Sequence, residues 1–209
     1  MMKKSFSFLI AAFVLLLASC ATKQAISENT ADPSELKLCK NLRPVYVTNS
    51  KKIYLLAPEY SDKVIDALQL LDGSFGKTKF ALMSYSQIDT KGISLSLFND
   101  FGADMGNLSF NGNAVSFNSA YFPSALPAEY IINDIQNAFY EFDSLSLNYA
   151  NSRLHFEEAE GAGENGSQIK IRKIYDGKKL IEEIQFLENT VAIKNYLRGY
   201  EYNLTEVEE

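Results

Sequence analysis

Residues 92–98, GISLSLF, constrain the fold more than any other stretch. Ile93, Leu95 and Leu97 alternate with Ser94 and Ser96, a period of two that suits a half-buried strand and no helix. The same rhythm surrounds it. Residues 78–88 (TKFALMSYSQI) place Phe80, Leu82 and Ile88 on one parity, with Ala81, Met83 and Tyr85 on the other. Leu108 and Phe110 are set to pair with Val115 and Phe117 across Asn111-Gly112-Asn113, whose Gly and Asn tolerate positive φ. Further on, alternation over 169–174 runs into Tyr175-Asp176-Gly177-Lys178, a strong hairpin signal, and 180–187, 191–196 and 200–207 continue the series. Strands joined by short turns predict a meander. The expected fold is mainly β: a curved antiparallel sheet or unclosed β-barrel.

One segment breaks the period. Residues 127–142 (PAEYIINDIQNAFYEF) put Ile131, Ile135, Ala138 and Phe142 on one helical stripe, flanked by Ile132 and Phe139. Pro127 suits a first turn and Glu129 its positive end. The spacing predicts one helix, a lid whose stripe covers the sheet's apolar face. Strands are expected to resume at 153–157, and 161–166 (GAGENG) to be a flexible loop. The globular domain is expected to span 64–209. Residues 35–63, with short strands at 45–47 and 53–56 interrupted by Pro44 and Pro58, are expected to be an extension packed on it.

The amino end fixes an address. Lys3 and Lys4 precede an apolar run over 6–18. That run has the length of a secretory signal and falls short of the roughly 20 residues of a spanning helix. Leu17-Ala18-Ser19-Cys20 resembles the lipobox of bacterial lipoproteins, in which the cysteine thiolate takes a diacylglyceryl group. The simpler alternative is an ordinary signal peptide with Cys20 incidental. On the lipobox reading, 1–19 is removed, Cys20 is lipidated, and 20–34 is a small, polar tether able to reach about 50 Å when extended. Ala21, rather than Asp, after the cysteine resembles an outer-membrane address, with the domain facing the periplasm. Two or three acyl chains would hold the protein to a membrane almost irreversibly.

Charge and composition exclude several function classes. The chain has 209 residues and a formal charge of −6; without Lys3 and Lys4 it is −6 − 2 = −8. Acidity of that size argues against nucleic acid as a partner. With Cys20 consumed, Cys39 has no internal disulfide partner; it is a packed small apolar side chain, or else an intermolecular or reactive thiol. His155 is the only histidine and sits in an apparent strand, so a Ser-His-Asp triad has little support, and sites built on several His or Cys fail on count. Glu182 and Glu183 are strand neighbours and face opposite sides. Residues 157–160 read as a solvated charge run, and 102–106 (GADMG) lack the lysine of a phosphate loop. No enzyme, metal or cofactor is expected.

The order of lipobox, tether, meander, a helix introduced by Phe122-Pro123-Ser124-Ala125-Leu126-Pro127, Tyr-Asp-Gly-Lys hairpin and closing strands is similar to a family of bacterial outer-membrane lipoproteins. These are often encoded among aryl-polyene and fatty-acid-like biosynthesis genes and resemble the lipoprotein-localisation proteins LolA and LolB. The resemblance covers about 66–204. It departs where that family has a Trp-Pro-like element after the helix, since Phe139-Tyr140-Glu141-Phe142 stands there and the chain has no Trp. It implies an unclosed barrel, plugged by helices, whose interior holds acyl chains of a lipidated cargo.

Three functions follow as expectations. The first is an outer-membrane-anchored lipoprotein that accepts lipid or lipoprotein cargo, with Phe80, Leu82, Ile93, Leu95, Leu97, Phe110 and Phe117 from strands and Ile131, Ile135 and Phe139 from the helix lining its cavity. The second is a structural lipoprotein docking on an envelope complex through tyrosines such as Tyr196, Tyr200 and Tyr202. The third is a hydrolase with two facing carboxylates in a polar cleft.

Overall fold

The computed structural model describes residues 36–119, 127–163 and 166–207. The calls on Cys20, the signal segment, the tether and 122–126 lie outside them. Two short strands come first, β1 (Val45–Tyr46) and β2 (Lys52–Ile53). Five long strands follow: β3 (Ile65–Phe75), β4 (Thr78–Asp89), β5 (Gly92–Phe98), β6 (Asp104–Phe110) and β7 (Val115–Ser119). Helices α1 (Ala128–Phe139) and α2 (Phe142–Ala150) interrupt them. The chain closes with β8 (His155–Ala162), β9 (Gln168–Asp176), β10 (Lys179–Phe186), β11 (Thr190–Asn195) and β12 (Tyr200–Glu206).

The fold is mainly β. Ten strands form one antiparallel sheet in the order β7-β6-β5-β4-β3-β12-β11-β10-β9-β8. Since β7 and β8 do not pair, the sheet is an unclosed barrel with a helical lid. The register matches the alternation in the sequence: Leu108 opposes Phe117, Phe110 opposes Val115, and Ile93 opposes both Ile88 and Phe110. Leu82, Ile88, Ile93, Leu95, Leu97, Leu108 and Phe110 are all buried on one face. Across the middle, β12 joins the two meanders by pairing with β3. There Gly73 lies so close that a Cβ would sit 2.3 Å from the Glu201 carbonyl. Gly73→Val is therefore expected to destabilise the domain by about 1–3 kcal/mol. Urea unfolding with an unchanged m-value checks this.

The expected helix over 127–142 is two helices. Tyr140 is extended (φ −97, ψ 163) and bridges to Ser61. The Asp62 amide donates to the Phe139 carbonyl, and the Glu141 amide to that of Tyr60. Backbone of the extension thus captures groups that would have continued the helix. Phe142 instead begins α2 and packs on Phe156 at 5.8 Å between ring centroids. β8 also runs further than expected, through the charge run to Ala162, because Glu158 meets Arg172 and Lys170 across the sheet.

The segment before β3 is a strap over α1. Val45, Ile53, Leu55 and Leu56 join the same core as the sheet. Gln136 of α1 clamps Leu56 twice, accepting from its amide at 3.0 Å and donating to its carbonyl at 2.8 Å. Cys39 is buried in that core, and burial pushes its thiol up to about 11, which makes it a packing group rather than a nucleophile.

Candidate functional site

Helix α1 lies across the concave face, and nine of its twelve residues are buried. Isolated in water a helix this short is marginal, so its docking contacts hold it. Between it and the sheet is a pocket lined by Leu71, Ser74 and Phe75 of β3, Phe80 of β4, Leu95 and Leu97 of β5, Leu108 of β6, Phe117 of β7, Ile131 and Ile135 of α1, and Tyr200, Tyr202 and Leu204 of β12. Leu71, Leu95, Leu97, Leu108 and Ile135 are buried and form its floor and roof, whereas Ser74, Phe75, Phe80, Phe117 and Tyr202 are half-buried and form its rim. Its walls present no polar atom to the space inside. That space, swept by the centre of a water-sized sphere, is about 40 Å³. One water needs roughly 10–15 Å³ on this measure. The hollow is therefore real but narrow with α1 seated, and a long guest requires the helix to yield.

Six of the ten expected lining residues stand in this pocket: Phe80, Leu95, Leu97, Phe117, Ile131 and Ile135. The other four do not. Leu82, Ile93 and Phe110 face inward but are packed into the core beyond the hollow. Phe139 turns to a separate groove with Ile65, Phe186 and Val191. Sequence reasoning missed the whole contribution of β3 and β12. Leu71 and Leu204 oppose each other, as do Tyr200 and Phe75, whose rings stack 6.0 Å apart. The signal available was the parity of Tyr200, Tyr202 and Leu204, which placed them on one face without saying which.

Two polar devices fasten α1. At its C-terminal end, Arg172 of β9, almost wholly buried, donates through Nη1 to the carbonyls of Asn137 (2.9 Å), Ala138 (3.1 Å) and Tyr140 (2.9 Å). Its Nε donates to Glu158 at 2.7 Å. The guanidinium thus satisfies carbonyls that the end of the helix leaves without amide partners. For Glu158, burial raises the carboxyl, but hydrogen bonding and charge from Arg172, with Lys170, outweigh it and leave Glu158 below its ordinary range.

At mid-helix a buried acid pair joins α1 to the sheet. Asp134 accepts from the Tyr200 hydroxyl at 2.7 Å and from Tyr202 at 3.3 Å. Glu182 of β10 accepts from Asn137 Nδ2 and Asn195 Nδ2, both at 2.9 Å. Tyr149 of α2 donates to Asn137 Oδ1 at 2.9 Å and accepts from Asn133 at 3.2 Å. The two carboxyls face each other within hydrogen-bonding reach. A bulge between Leu180 and Glu182 in the β9–β10 ladder brings Glu182 to this face, while Glu183 points outward to Lys173 at 3.6 Å. Burial, then the neighbouring Glu182 charge, pushes Asp134 well above the ordinary range, and burial raises Glu182 as well. Two adjacent buried carboxyls cannot both ionise, so the pair shares a retained proton.

These are the two facing acids a hydrolase would need, but they touch each other and are enclosed, whereas glycosidase carboxyls stand roughly 5 Å or more apart around a substrate. Among the described residues no three His, Cys, Asp or Glu gather as a metal site, and no helix is long and apolar enough to cross a membrane. His155 is exposed on edge strand β8, beside Glu157 at 3.4 Å. The tyrosines expected as an exposed docking cluster are divided: Tyr196 is exposed, but Tyr200 is buried and Tyr202 half-buried, both spent on Asp134.

A family model described as a protein of unknown function (DUF3261) matches residues 66–208. All the pocket's lining and both members of the acid pair fall within that span, whereas the strap over 36–61 lies before it. No curated protein matches the chain.

Proposed function

We propose that this chain, which belongs to the family described as a protein of unknown function (DUF3261), is a LolA/LolB-like lipid-binding lipoprotein. It takes an acyl chain or similar lipidic tail between the sheet and α1, and it accepts lipid or lipoprotein cargo for delivery to the outer membrane. Cys20 anchors it there by its own acyl groups, with the domain facing the periplasm. The observation that carries this is the apolar hollow under α1: all its exposed wall is carbon, and its rim of Phe75, Phe80 and Phe117 is half-buried. Each methylene transferred there from water contributes roughly 0.8 kcal/mol, against the cost of displacing α1. A polar head would remain outside, since the wall turns no polar atom into the hollow, the Tyr200 and Tyr202 hydroxyls being bonded to Asp134. No covalent chemistry is required of the protein, so the function needs no catalytic group.

A second reading has its own observation. The outer face carries a contiguous apolar strip in which exposed Leu68 opposes Tyr85, and Leu70 opposes Met83. On this reading the domain docks on an envelope protein through that strip, and the hollow is only packing. One experiment separates the two. The purified domain is extracted and its lipids analysed, and uptake of a fluorescent fatty acid is measured. Co-purifying lipid or saturable uptake is expected; a clean protein that ignores the probe contradicts lipid binding.

A further inference from the structure

We infer that Asp134 and Glu182 form a proton-controlled latch on helix α1, so that the roof of the pocket opens more readily as pH rises. The inference rests on the reading of α1 as the roof of a ligand pocket.

The placement of the pair carries it. Asp134 lies between Ile131 and Ile135, the two α1 residues in the pocket wall. Its hydroxyl donors, Tyr200 and Tyr202, line the same pocket. Downstream, the helix is held differently, by Arg172 on the carbonyls of Asn137, Ala138 and Tyr140 and by Gln136 on Leu56. The turns over the pocket are held by the acid pair and, at the first turn, by Tyr130, whose hydroxyl accepts from the Tyr46 amide at 3.1 Å and from Arg198 at 3.2 Å; of these holds only the acid pair carries a proton to lose.

The charged and titratable groups around the pair are few. From α1 comes Asp134; from β10, Glu182; from β12, Tyr200 and Tyr202; and from α2, Tyr149. The three tyrosines are held neutral, pushed well up by burial first and then by the carboxyl charges. Arg198, in the β11–β12 turn, favours the ionised form of Glu182, but it is bonded to Tyr46 and lies over the Tyr130 ring. Arg172 is spent on helix carbonyls and Glu158. Among the described residues no further cation compensates a second buried negative charge, so the seated helix keeps a proton that an opened one releases.

The direction follows from linkage. Once lifted into water, Asp134 returns toward its ordinary value of 3.8. Above that pH the open state gives up the proton and the closed state keeps it, until the pH passes the raised value of the closed state. Over that window each pH unit favours opening about tenfold for one proton.

Hydrogen exchange reads this without any ligand, because a twelve-residue helix off its packing frays and exposes its amides. Protection factors, corrected for intrinsic exchange rates, are measured for α1 and for β4 and β5 from about pH 5.5 to 8.5. We expect α1 protection to fall as pH rises, by at most about tenfold per pH unit, while β4 and β5 change little. In Asp134→Asn, which supplies the same donor and acceptor without a proton to lose, α1 protection should become flat. A flat wild-type profile, an equal slope in α1 and the sheet, or a slope that survives Asp134→Asn overturns the latch. If the variant does not fold, the wild-type comparison decides alone. Fatty-acid uptake is scored separately, so a working pocket with pH-independent exchange sinks the latch only, and pH-dependent exchange without uptake sinks the lipid reading only.

Discussion

Arg172→Met is expected to lower the unfolding free energy by about 3 kcal/mol. The methionine fills similar space but leaves the carbonyls of Asn137, Ala138 and Tyr140 without their donor and Glu158 without its close cation. Glu158→Gln is the control. It removes the charge pair but spares the three carbonyl bonds, and because Glu158 is partly solvated its cost should be about 1 kcal/mol or less. If the two variants cost the same, the ion pair rather than the helix cap accounts for the energy. Denaturant midpoints at unchanged m-value decide between them. Acid pH weakens the same joint. Since Glu158 lies below its ordinary value of 4.5, its contribution is present above that pH and is lost as pH falls through the lowered value.

Leu97→Ala is expected to do two opposite things. Leu97 is 2% exposed on β5 and forms part of the pocket floor. Removing its branched end should destabilise the unliganded protein by about 2–5 kcal/mol and enlarge the hollow. An apolar guest can then reclaim part of the loss, because ligand that binds only the folded state stabilises it by mass action. Thermal unfolding with and without a saturating fatty acid checks this. A larger ligand-induced rise in Tm for the variant than for the wild type is the expected result. Equal destabilisation with and without fatty acid means that Leu97 is ordinary core.

Much of the sheet was legible because alternation there has one meaning. Ile93, Leu95 and Leu97 must share a face whatever their partners, and the turn at Gly112 fixes the β6–β7 register, whereas the turn at Gly177 fixes that of β9 and β10 only as far as the bulge after Leu180. The helices show where local pattern stops deciding. The tetrapeptide Ser-Leu-Ser-Leu occurs twice, over 94–97 in β5 and over 144–147 in α2. In α2 it is helical because Tyr149 must reach Asn137 and stack on Phe156, 5.2 Å away, and both partners lie outside the helix. β3 was obscured for a related reason. It runs through the middle of the sheet, yet it turns Leu68 and Leu70 outward and Gln69 inward, where Gln69 accepts from Ser86 at 2.6 Å.

The candidate site was half legible by the same logic. Phe80, Leu95 and Phe117 are placed by parity alone. Whether an inward residue reaches a hollow or solid core depends on where α1 crosses, and that left Leu82, Ile93 and Phe110 outside the pocket. The acid pair could not be read at all. Asp134 is one polar residue on an amphipathic helix, Glu182 one of two adjacent acids, and only the bulge beside Leu180 together with the tyrosines of β12 joins them.

The most direct test follows the guest itself. Isotope-labelled palmitate is added to the protein, and nuclear Overhauser contacts from its methylenes to side-chain methyls are mapped. Contacts to Leu95, Leu97, Leu108 and Ile131 are predicted, with the carboxylate end near the aromatic rim of Phe75, Phe80 and Phe117. An absence of contacts under saturating palmitate, or contacts confined to Leu68 and Leu70 on the outer face, would contradict the account.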